Sequence, residues 1–491
     1  MPLVSSGRPL GNLREAGLAV LICAVTVIGA SAQTFTTLVT FNGANGWDPP
    51  AQSLVQGLDG DFYGTTFEGG LYGAGIIFKL TKNGQLVTVH NFCAQSGCTD
   101  GLEPAAGLIQ AVDGNFYGTT EFGGQGVYPL GTFFSMSPNG AFTTLYSFCS
   151  QYNGWYGCLD GSEPEGQLVQ GVSGDIYGTT PGGGDNFGGV VFVAAPNGQV
   201  STLYSFCAML DCADGQGPYA GLTLGWDGRL YGTTIGGGSA FSGTVFRLSP
   251  DGKETILYSS CSQHGSSFHR CFNPTGTGTL IQGLDGSFYG TSQGGGLYGS
   301  GTAFRLTADG VLNNLHNFNV ADGSYTGSVI QASDGNFYGT TKSGGRNGFG
   351  TIFKITPEGV FRTIHDFDAP VNCVVDCYAN SMLMQATDGN LYGVYSSVGY
   401  GYSTIFRVEM GLGPFVQTRP ALAKQSGEVD LLGQRFEGAT GVSFNGTPAS
   451  FDVVSDTFIR ATVPLGATSG YITVTAADGT LTSNVPFHVI P

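Results

Sequence analysis

The chain has 491 residues, of which 83 are glycine, 41% are hydrophobic and only 11% are charged. This balance excludes a disordered chain, which combines low hydrophobicity with high charge, and favours short apolar strands joined by Gly-rich turns. The formal net charge of −17 argues against nucleic acid and anionic membrane surfaces as partners, because both select basic patches.

Residues 1–32 have the pattern of a secretory signal peptide. Arg8 and Arg14 supply a basic segment, residues 16–28 are apolar, and Ala30-Ser-Ala32 is a cleavage site. An uncleaved membrane anchor is the alternative, but the apolar run is shorter than the roughly 20 residues that span a bilayer. We therefore expect a mature chain that begins near Gln33, carries no transmembrane segment, and is secreted to the extracellular space or cell surface, or to the periplasm.

The stretch Asp59-Gly-Asp-Phe-Tyr-Gly-Thr-Thr66 is the unit that repeats along the chain. Its Tyr-Gly pair returns at intervals of 49 to 60 residues, which suits one four-stranded propeller blade and a variable loop. The tyrosines of this pair are Tyr63, Tyr117, Tyr177, Tyr231, Tyr289, Tyr338 and Tyr392.

Each repeat predicts four strands, which in the first copy are residues 53–58, 62–66, 75–80 and 86–92. Asp-Gly or Ser-Gly separates the first two strands and Asn-Gly or a similar pair the last two. These pairs predict two-residue hairpins that require positive φ.

An unpaired copy of the fourth strand, residues 34–41, stands at the mature N-terminus, and the last repeat, residues 382–408, lacks its fourth strand. The N-terminal strand is therefore expected to complete the last blade. The predicted fold is all-β, a seven-bladed β-propeller over residues 33–408 that hides its sheet edges by closing on itself.

Ten cysteines form five short-range pairs, and each pair lies in the loop between two repeats. An even number of cysteines behind a signal peptide indicates disulfides in an oxidising compartment. The expected disulfides are Cys93–Cys98, Cys149–Cys158, Cys207–Cys212, Cys261–Cys271 and Cys373–Cys377. Two histidines in the fourth loop leave zinc as an alternative there, although the spacing matches no familiar zinc finger.

After residue 408 the repeat ends. Residues 409–414 are a predicted linker, and residues 415–491 alternate apolar and polar side chains in short runs that favour a small β-sandwich.

Two resemblances follow from these motifs. The repeated Asp-Gly-x-aromatic-Tyr-Gly-Thr-Thr core, the Gly-Gly loop and the Gly-Thr-x-Phe strand of residues 34–408 resemble the GloVer tandem repeat of secreted bacterial proteins. That resemblance implies a secreted or surface-anchored repeat protein without an established activity, and this chain shows no anchor. The C-terminal stretches Gly433-Gln-Arg-Phe436, Phe444-Asn-Gly446 and residues 455–464 resemble the IPT/TIG immunoglobulin-like domain, which implies a spacer or a binding module.

A near-complete ring of glutamines lies three residues before the first turn of each repeat, and Leu224 takes this place in the fourth. The innermost strand of a blade lines the central channel, so these amides could bind a polar ligand there; the alternative, which we favour, is an amide that bonds the neighbouring blade. The ring consists of Gln56, Gln110, Gln170, Gln282, Gln331 and Gln385.

The loops after the second strand and those between blades share one face, which is the better candidate for function. Acidic residues there could act as an acid/base pair in glycan cleavage, and aromatic residues could stack on sugars or protein surfaces. The candidate ligand-binding residues are Glu68, Tyr72, Glu121, Phe122, Trp155, Asp185, Phe187 and Tyr298.

No nucleophile, metal or cofactor motif is present in the sequence, so no catalytic residue, metal or cofactor is assigned. The preferred function is a secreted, non-enzymatic binding or scaffold protein that recognises an extracellular glycan or protein as a monomer. The alternatives are a glycan-active hydrolase or lyase and a purely structural role.

Overall fold

A computed structural model describes residues 33–50, 54–154, 157–261, 278–369, 382–396 and 403–490. The predicted signal peptide lies outside these residues, as do Trp155, Cys271, Cys373 and Cys377. Within the described part of the chain the secondary structure is β-strands and two short 3₁₀ helices, Ser96–Cys98 and Leu210–Cys212. Among these residues no helix is long and apolar enough to cross a membrane.

The repeat region forms seven four-stranded antiparallel sheets in the described residues, called here sheets 1 to 7. The first strand of the chain is β1 (Thr34–Thr40). Sheet 1 contains β2 (Val55–Gln56), β3 (Phe62–Thr66), β4 (Ile76–Leu80) and β5 (Leu86–Asn91). Sheet 2 contains β6 (Ile109–Gln110), β7 (Phe116–Thr120), β8 (Thr132–Met136) and β9 (Phe142–Ser147). Sheet 3 contains β10 (Val169–Gln170), β11 (Ile176–Thr180), β12 (Val190–Ala194) and β13 (Val200–Ser205).

The next three sheets repeat this order. Sheet 4 contains β14 (Thr223–Leu224), β15 (Leu230–Thr234), β16 (Thr244–Leu248) and β17 (Glu254–Ser259). Sheet 5 contains β18 (Ile281–Gln282), β19 (Phe288–Ser292), β20 (Thr302–Leu306) and β21 (Leu312–Asn317). Sheet 6 contains β22 (Ser324–Gln331), β23 (Phe337–Ser343), β24 (Thr351–Ile355) and β25 (Phe361–Asp366).

Sheet 7 joins the two ends of the repeat region. Its strands from the last repeat are β26 (Met384–Gln385), β27 (Leu391–Tyr395) and β28 (Thr404–Glu409). The fourth strand is β1, which pairs antiparallel with β28 from Thr34↔Glu409 to Thr40↔Thr404. The expected exchange of the N-terminal strand is therefore present.

Each sheet packs on the next through an apolar cluster, and the series returns to its start. One cluster joins sheets 1 and 2 through Tyr63 and Phe116, and equivalent clusters continue to sheet 7. The last cluster joins Phe41 and Ile405 of the closing sheet to Phe78 of sheet 1. The prediction of an all-β, propeller-like fold is confirmed.

The turn chemistry differs in detail from the expected two-residue hairpins. In the first turn of sheet 1, Gly57 N–H donates to Asp61 O at 2.7 Å and Gly60 N–H donates to Gly57 O at 2.8 Å. Gly60 alone has positive φ (85°), while Asp59 does not. This is a three-residue hairpin whose last residue, the glycine, has a left-handed backbone. The residue before the glycine does not need positive φ, so Asp or Ser fits there without backbone strain.

The aromatic residue of the repeated motif is explained by a second contact. Tyr63 Oη donates to Asp59 Oδ2 at 2.7 Å, which ties the second strand to the turn before it. The same pair recurs in five further sheets, with Tyr117, Tyr231, Tyr289, Tyr338 and Tyr392.

The C-terminal residues form two four-stranded sheets and a parallel strand pair around one apolar core. We call this part of the chain the C-terminal module. One sheet contains β29 (Gln417–Arg419), β31 (Glu428–Leu432), β35 (Phe458–Thr462) and β34 (Phe451–Ser455). The other contains β33 (Thr447–Pro448), β32 (Gly441–Phe444), β36 (Ile472–Ala476) and β37 (Gly479–Thr482). The parallel pair is β30 (Leu422–Lys424) with β38 (His488–Ile490). Its identity as an IPT/TIG domain stays a prediction.

The glycine after each repeated tyrosine makes room for a ring on the neighbouring strand. A Cβ added to Gly232 would lie 2.5 Å from Phe246 Cζ and 2.9 Å from Leu222 Cδ2, and Phe246 is fully buried. We expect Gly232→Ala to lower the free energy of unfolding by about 1–3 kcal/mol, the usual cost of overpacking a core. Thermal unfolding of the full chain measures this effect. Gly413→Ala, where an added Cβ meets nothing within 4 Å, is the control, and equal midpoints for the two variants would contradict the packing explanation.

Candidate functional site

The long loops of each repeat emerge on one side of the sheets. We call this side the long-loop face, and the side with the tight hairpins the short-turn face. On the long-loop face, the segment that enters each of the first four sheets forms an isolated bridge with the loop after the second strand. These bridges are Trp47–Glu68, Leu102–Phe122, Ser162–Gly182 and Gln216–Gly236. Paired backbone fixes the side chains of both segments relative to the sheets.

The cysteine loops on this face are held by a buried aspartate as well as by disulfides. Asp100 is fully buried and accepts from the backbone N–H groups of Ala94 and Gln95. Asp160 and Asp214 do the same in the next two loops. The disulfides Cys93–Cys98, Cys149–Cys158 and Cys207–Cys212 are those that the sequence predicts. The pairs Cys261–Cys271 and Cys373–Cys377 include cysteines outside the described residues and stay predictions.

A slot in the fourth strand holds either histidine or tyrosine beside this aspartate. His90 Nε2 lies 3.2 Å from Asp100 Oδ2, and Tyr204 Oη donates to Asp214 Oδ2 at 2.9 Å. The His90 ring also stacks on Phe142 of sheet 2, with centroids 3.9 Å apart. The slot is therefore a structural contact.

The six glutamines of the predicted ring use both polar ends of their amides between sheets. Gln110 Nε2 donates to Gly114 O of its own turn at 3.0 Å, and its Oε1 accepts from Leu58 N–H of sheet 1 at 2.9 Å. The same two bonds recur at Gln56, Gln170, Gln282, Gln331 and Gln385. This arrangement supports the bonding role over ligand binding by the amides.

Two of the candidate carboxylates belong to a larger acidic group on the long-loop face. Burial raises the pKa of Glu121 to about 7, helped by the charges of Glu165, Glu103 and Glu163. Burial and the charge of Glu68 likewise raise the pKa of Glu103. We call these five glutamates, from sheets 1 to 3, the acidic cluster. The structure does not bring Asp185 into it; Asp185 is exposed in the loop of sheet 3.

The cluster shows two signs of a constrained site. Burial and the charge of Glu163 raise the pKa of Glu165 to about 7. Glu103 and Glu163 both have left-handed backbone, with φ of 58° and 59°, directly before a proline. Non-glycine residues adopt this conformation rarely, and such residues concentrate at functional positions. The described residues contain no group of three or more His, Cys, Asp or Glu side chains placed to hold a metal ion.

Sequence analysis gave a site role to Glu68 and Glu121 but to none of Glu103, Glu163 and Glu165. Their recurrence beside the proline that opens successive repeats was the available signal. Nothing in the spacing showed that the cluster would assemble across three sheets.

Large apolar side chains are exposed at the tips of the long loops. Tyr72 is 51% exposed, Phe187 44% and Tyr298 60%. The same loop of sheets 2 and 4 exposes Tyr128 and Phe241. Phe122 lies nearer the loop base and is half-buried, and Trp155 is outside the described residues.

The C-terminal module lies against the short-turn face. Thr457 Oγ1 donates to Leu58 O at 2.7 Å, and Phe415 N–H donates to Thr387 O at 3.1 Å. The ring of His488 stacks on Trp226 with centroids 4.1 Å apart. These contacts involve the first hairpins of sheets 1, 4 and 7, so the module covers the side opposite to the long loops.

Comparison with known proteins identifies the repeat. A family profile described as the Gloeobacter/Verrucomicrobia repeat matches residues 23–157, 151–279 and 273–428. No curated protein matches the chain.

Solved structures with similarity to the chain are distant in sequence. A fungal alcohol oxidase of the AA5 family, in complex with copper, is 12% identical over 94% of this chain and 100% of its own, with a TM-score of 0.49. The extracellular domain of a putative hybrid two-component system from B. thetaiotaomicron is 10% identical over 92% of this chain and 58% of its own, with a TM-score of 0.47. A protein of unknown function from Dyadobacter fermentans is 11% identical over 77% and 100%, with a TM-score of 0.42. At these TM-scores none of the three carries an argument about activity.

The acidic cluster predicts a pH dependence of stability. Folding raises the pKa of Glu121 from 4.5 to about 7, so the folded chain binds more protons than the unfolded chain between these values. Stability is therefore lost as the pH rises through this window. We expect Glu121→Gln to raise the thermal midpoint at pH 8 and to leave it nearly unchanged at pH 4.

Thermal unfolding between pH 4 and pH 8 checks this expectation. Glu358→Gln, at an exposed glutamate in a tight turn of sheet 6, is the matched control and should shift neither end of the profile. A gain from Glu121→Gln that is equal at both pH values would count against charge repulsion as its cause.

Proposed function

We propose a binding function for this chain, which belongs to the Gloeobacter/Verrucomicrobia repeat family. In this proposal the chain is a secreted, non-enzymatic protein that recognises an extracellular glycan or protein through its long-loop face. Residues 1–32 act as the signal peptide. Residues 33–408 form a seven-bladed propeller, followed by a linker at 409–414 and an IPT/TIG module at 415–491.

The observation that carries the proposal is the recurrence of exposed apolar side chains in the loop after the second strand. Single exposed apolar residues are common on protein surfaces and need no explanation. Among the residues that the structure describes, the same loop exposes them in five of the seven sheets, always on one face. These residues are Leu71, Tyr72, Val127, Tyr128, Phe187, Phe241, Leu297 and Tyr298.

The chemistry of these side chains suits a ligand surface. Aromatic rings bury a large area at a low cost in conformational entropy, and tyrosine adds a hydroxyl that can bond to a sugar or to a peptide. Tyr128 and Tyr152, from loops of two different kinds, already contact each other with ring centroids 4.5 Å apart. The bridged backbone beneath the loops reduces the ordering that binding requires.

The position of the C-terminal module supports the choice of face. The module occupies hairpins of the short-turn face through Thr457, Phe415 and His488. A large partner is therefore more easily accommodated on the opposite side. The three disulfides of the described loops suit an oxidising compartment outside the cytoplasm.

Glycan arrays and affinity capture on extracellular protein fractions test the proposal. We expect saturable binding by a monomer that Tyr72→Ser, Phe241→Ser and Tyr298→Ser together weaken by at least tenfold, since buried aromatic anchors dominate such interfaces. The thermal midpoint should change little, because all three side chains are exposed.

The matched control is a variant with apolar residues removed from the short-turn face. Val311 and Val360 are 53% and 66% exposed in tight turns of sheets 5 and 6. Val311→Ser combined with Val360→Ser should bind as the parent chain does. Equal losses in the two variants, or no saturable binding to any glycan or protein, would contradict the proposal; the second result would favour a purely structural role.

A glycan-active hydrolase or lyase is the second candidate, and the acidic cluster is the observation that favours it. A carboxyl group with a pKa near 7 is suited to general acid catalysis, and glycosidases pair such an acid with a second carboxylate. Glu121 and Glu165 both have this property.

Release of reducing ends from polysaccharides distinguishes the two candidates. The binding proposal predicts no release above that of the heat-denatured chain. Release by the parent chain that falls at least 100-fold in Glu121→Gln, Glu165→Gln or Glu68→Gln, with glycan binding retained, would establish the enzyme instead, because loss of a general acid or base costs about 10²–10⁴ in rate.

A further inference from the structure

The first strands of the seven sheets and the C-terminal module line a cavity. Its volume is about 600 Å³, within the roughly 300–1,000 Å³ of small-molecule sites. Strands β2, β6, β10, β14, β18, β22 and β26 line its sides, and residues 417–422 and 484–486 of the module close one end.

The sides of the cavity are mostly apolar. The residue directly before each ring glutamine lines it, and in six of seven sheets this residue is aliphatic or methionine. They are Val55, Ile109, Val169, Ile281, Ile330 and Met384, all of them half-buried. Thr223 takes this position in sheet 4. An apolar wall with a few polar groups at one end is the usual form of a ligand pocket.

Arg419 supplies a positive charge at the closed end. Its Nη1 donates to Gln110 Oε1 at 3.0 Å, and its Nη2 donates to Gln56 O and to Gln417 Oε1. All three acceptors are neutral. Asp430, the carboxylate on the adjoining strand, pairs instead with Arg460 at 2.9 Å. Burial lowers the pKa of Arg419 to about 10, and the charge of Asp430 partly opposes this effect. The guanidinium therefore stays charged at neutral pH, although no carboxylate of the described residues lies within 4 Å of it.

We propose that this cavity binds a small organic carboxylate with an apolar body. The carboxylate would lie against the guanidinium of Arg419, while the apolar body would contact the ring of aliphatic side chains. Guanidinium and carboxylate groups form the strong, charge-assisted hydrogen bonds that a buried arginine lacks here. The site is separate from the long-loop face, so this proposal does not depend on the proposed function.

Titration calorimetry of the full mature chain with three probes tests the chemistry of the site. Octanoate should bind with one molecule per chain. Octanamide, which has the same body without the charge, should bind at least tenfold more weakly, and acetate, which lacks the body, should bind at least tenfold more weakly too. Binding of octanamide or acetate as tight as that of octanoate, or no octanoate binding at millimolar concentration, would overturn the proposal.

Variants of the module locate the site. Arg419→Met should weaken octanoate binding at least tenfold, but Arg419 also contacts the repeat sheets, and its loss could detach the module. Val169→Asp leaves Arg419 and its contacts unchanged and puts a negative charge into the cavity wall, so it should weaken octanoate binding at least tenfold. Arg435→Met, at an arginine of the same module that is 63% exposed, should bind as the parent chain does. Parental affinity in Val169→Asp, or an equal loss in Arg435→Met, would exclude this cavity as the site.

Discussion

The antiparallel pairing of β1 with β28 is the constraint on which the other features of the repeat region depend. It brings together residues near positions 34 and 409 and turns a linear series of sheets into a closed one. Phe35 reinforces the pairing, since its ring stacks on His365 of sheet 6 at 4.2 Å and on Phe406 of β28 at 5.0 Å. An open series would leave unpaired strand edges at both ends, which are sites for aggregation.

Closure also completes the series of glutamine hydrogen bonds that link neighbouring sheets. Gln56 Oε1 accepts from Thr387 N–H at 2.9 Å, which links sheet 1 to sheet 7 by the same bond that links the other glutamine-bearing sheets to their neighbours. Arg419 bonds to Gln56 and Gln110 at this place. The C-terminal module therefore contacts sheets that are joined in a closed ring. Because it binds to the short-turn face, the long-loop face stays free.

The repeat region could be predicted from sequence because its contacts recur with a fixed period. The tyrosine-aspartate pair of Tyr63 and Asp59 is local, and the link between Gln110 and Leu58 joins neighbours one repeat apart. The missing fourth strand of the last repeat and the extra strand at the start predicted the exchange of β1. The three disulfides of the described loops followed from their short spacing.

The candidate sites were predicted less well, for a physical reason. The acidic cluster combines Glu68, Glu121 and Glu165 from three sheets, and their mutual approach depends on how the entry segments bend, which no period encodes. Arg419 is one of 18 basic residues, and its role depends on docking between parts of the chain with unrelated sequences. The turns differed as well, because a three-residue turn that ends in a left-handed glycine contains the same Asp-Gly pair as the expected two-residue hairpin.

Hydrogen exchange of the backbone amides in β1 is the measurement that tests the closed ring most directly. The account predicts that the amides of Thr34–Thr40 that bond to β28 exchange as slowly as those of Leu391–Tyr395 in the same sheet, because both open only when sheet 7 comes apart. Rapid exchange throughout Thr34–Thr40, with Leu391–Tyr395 still protected, would show a free N-terminal segment and contradict the account.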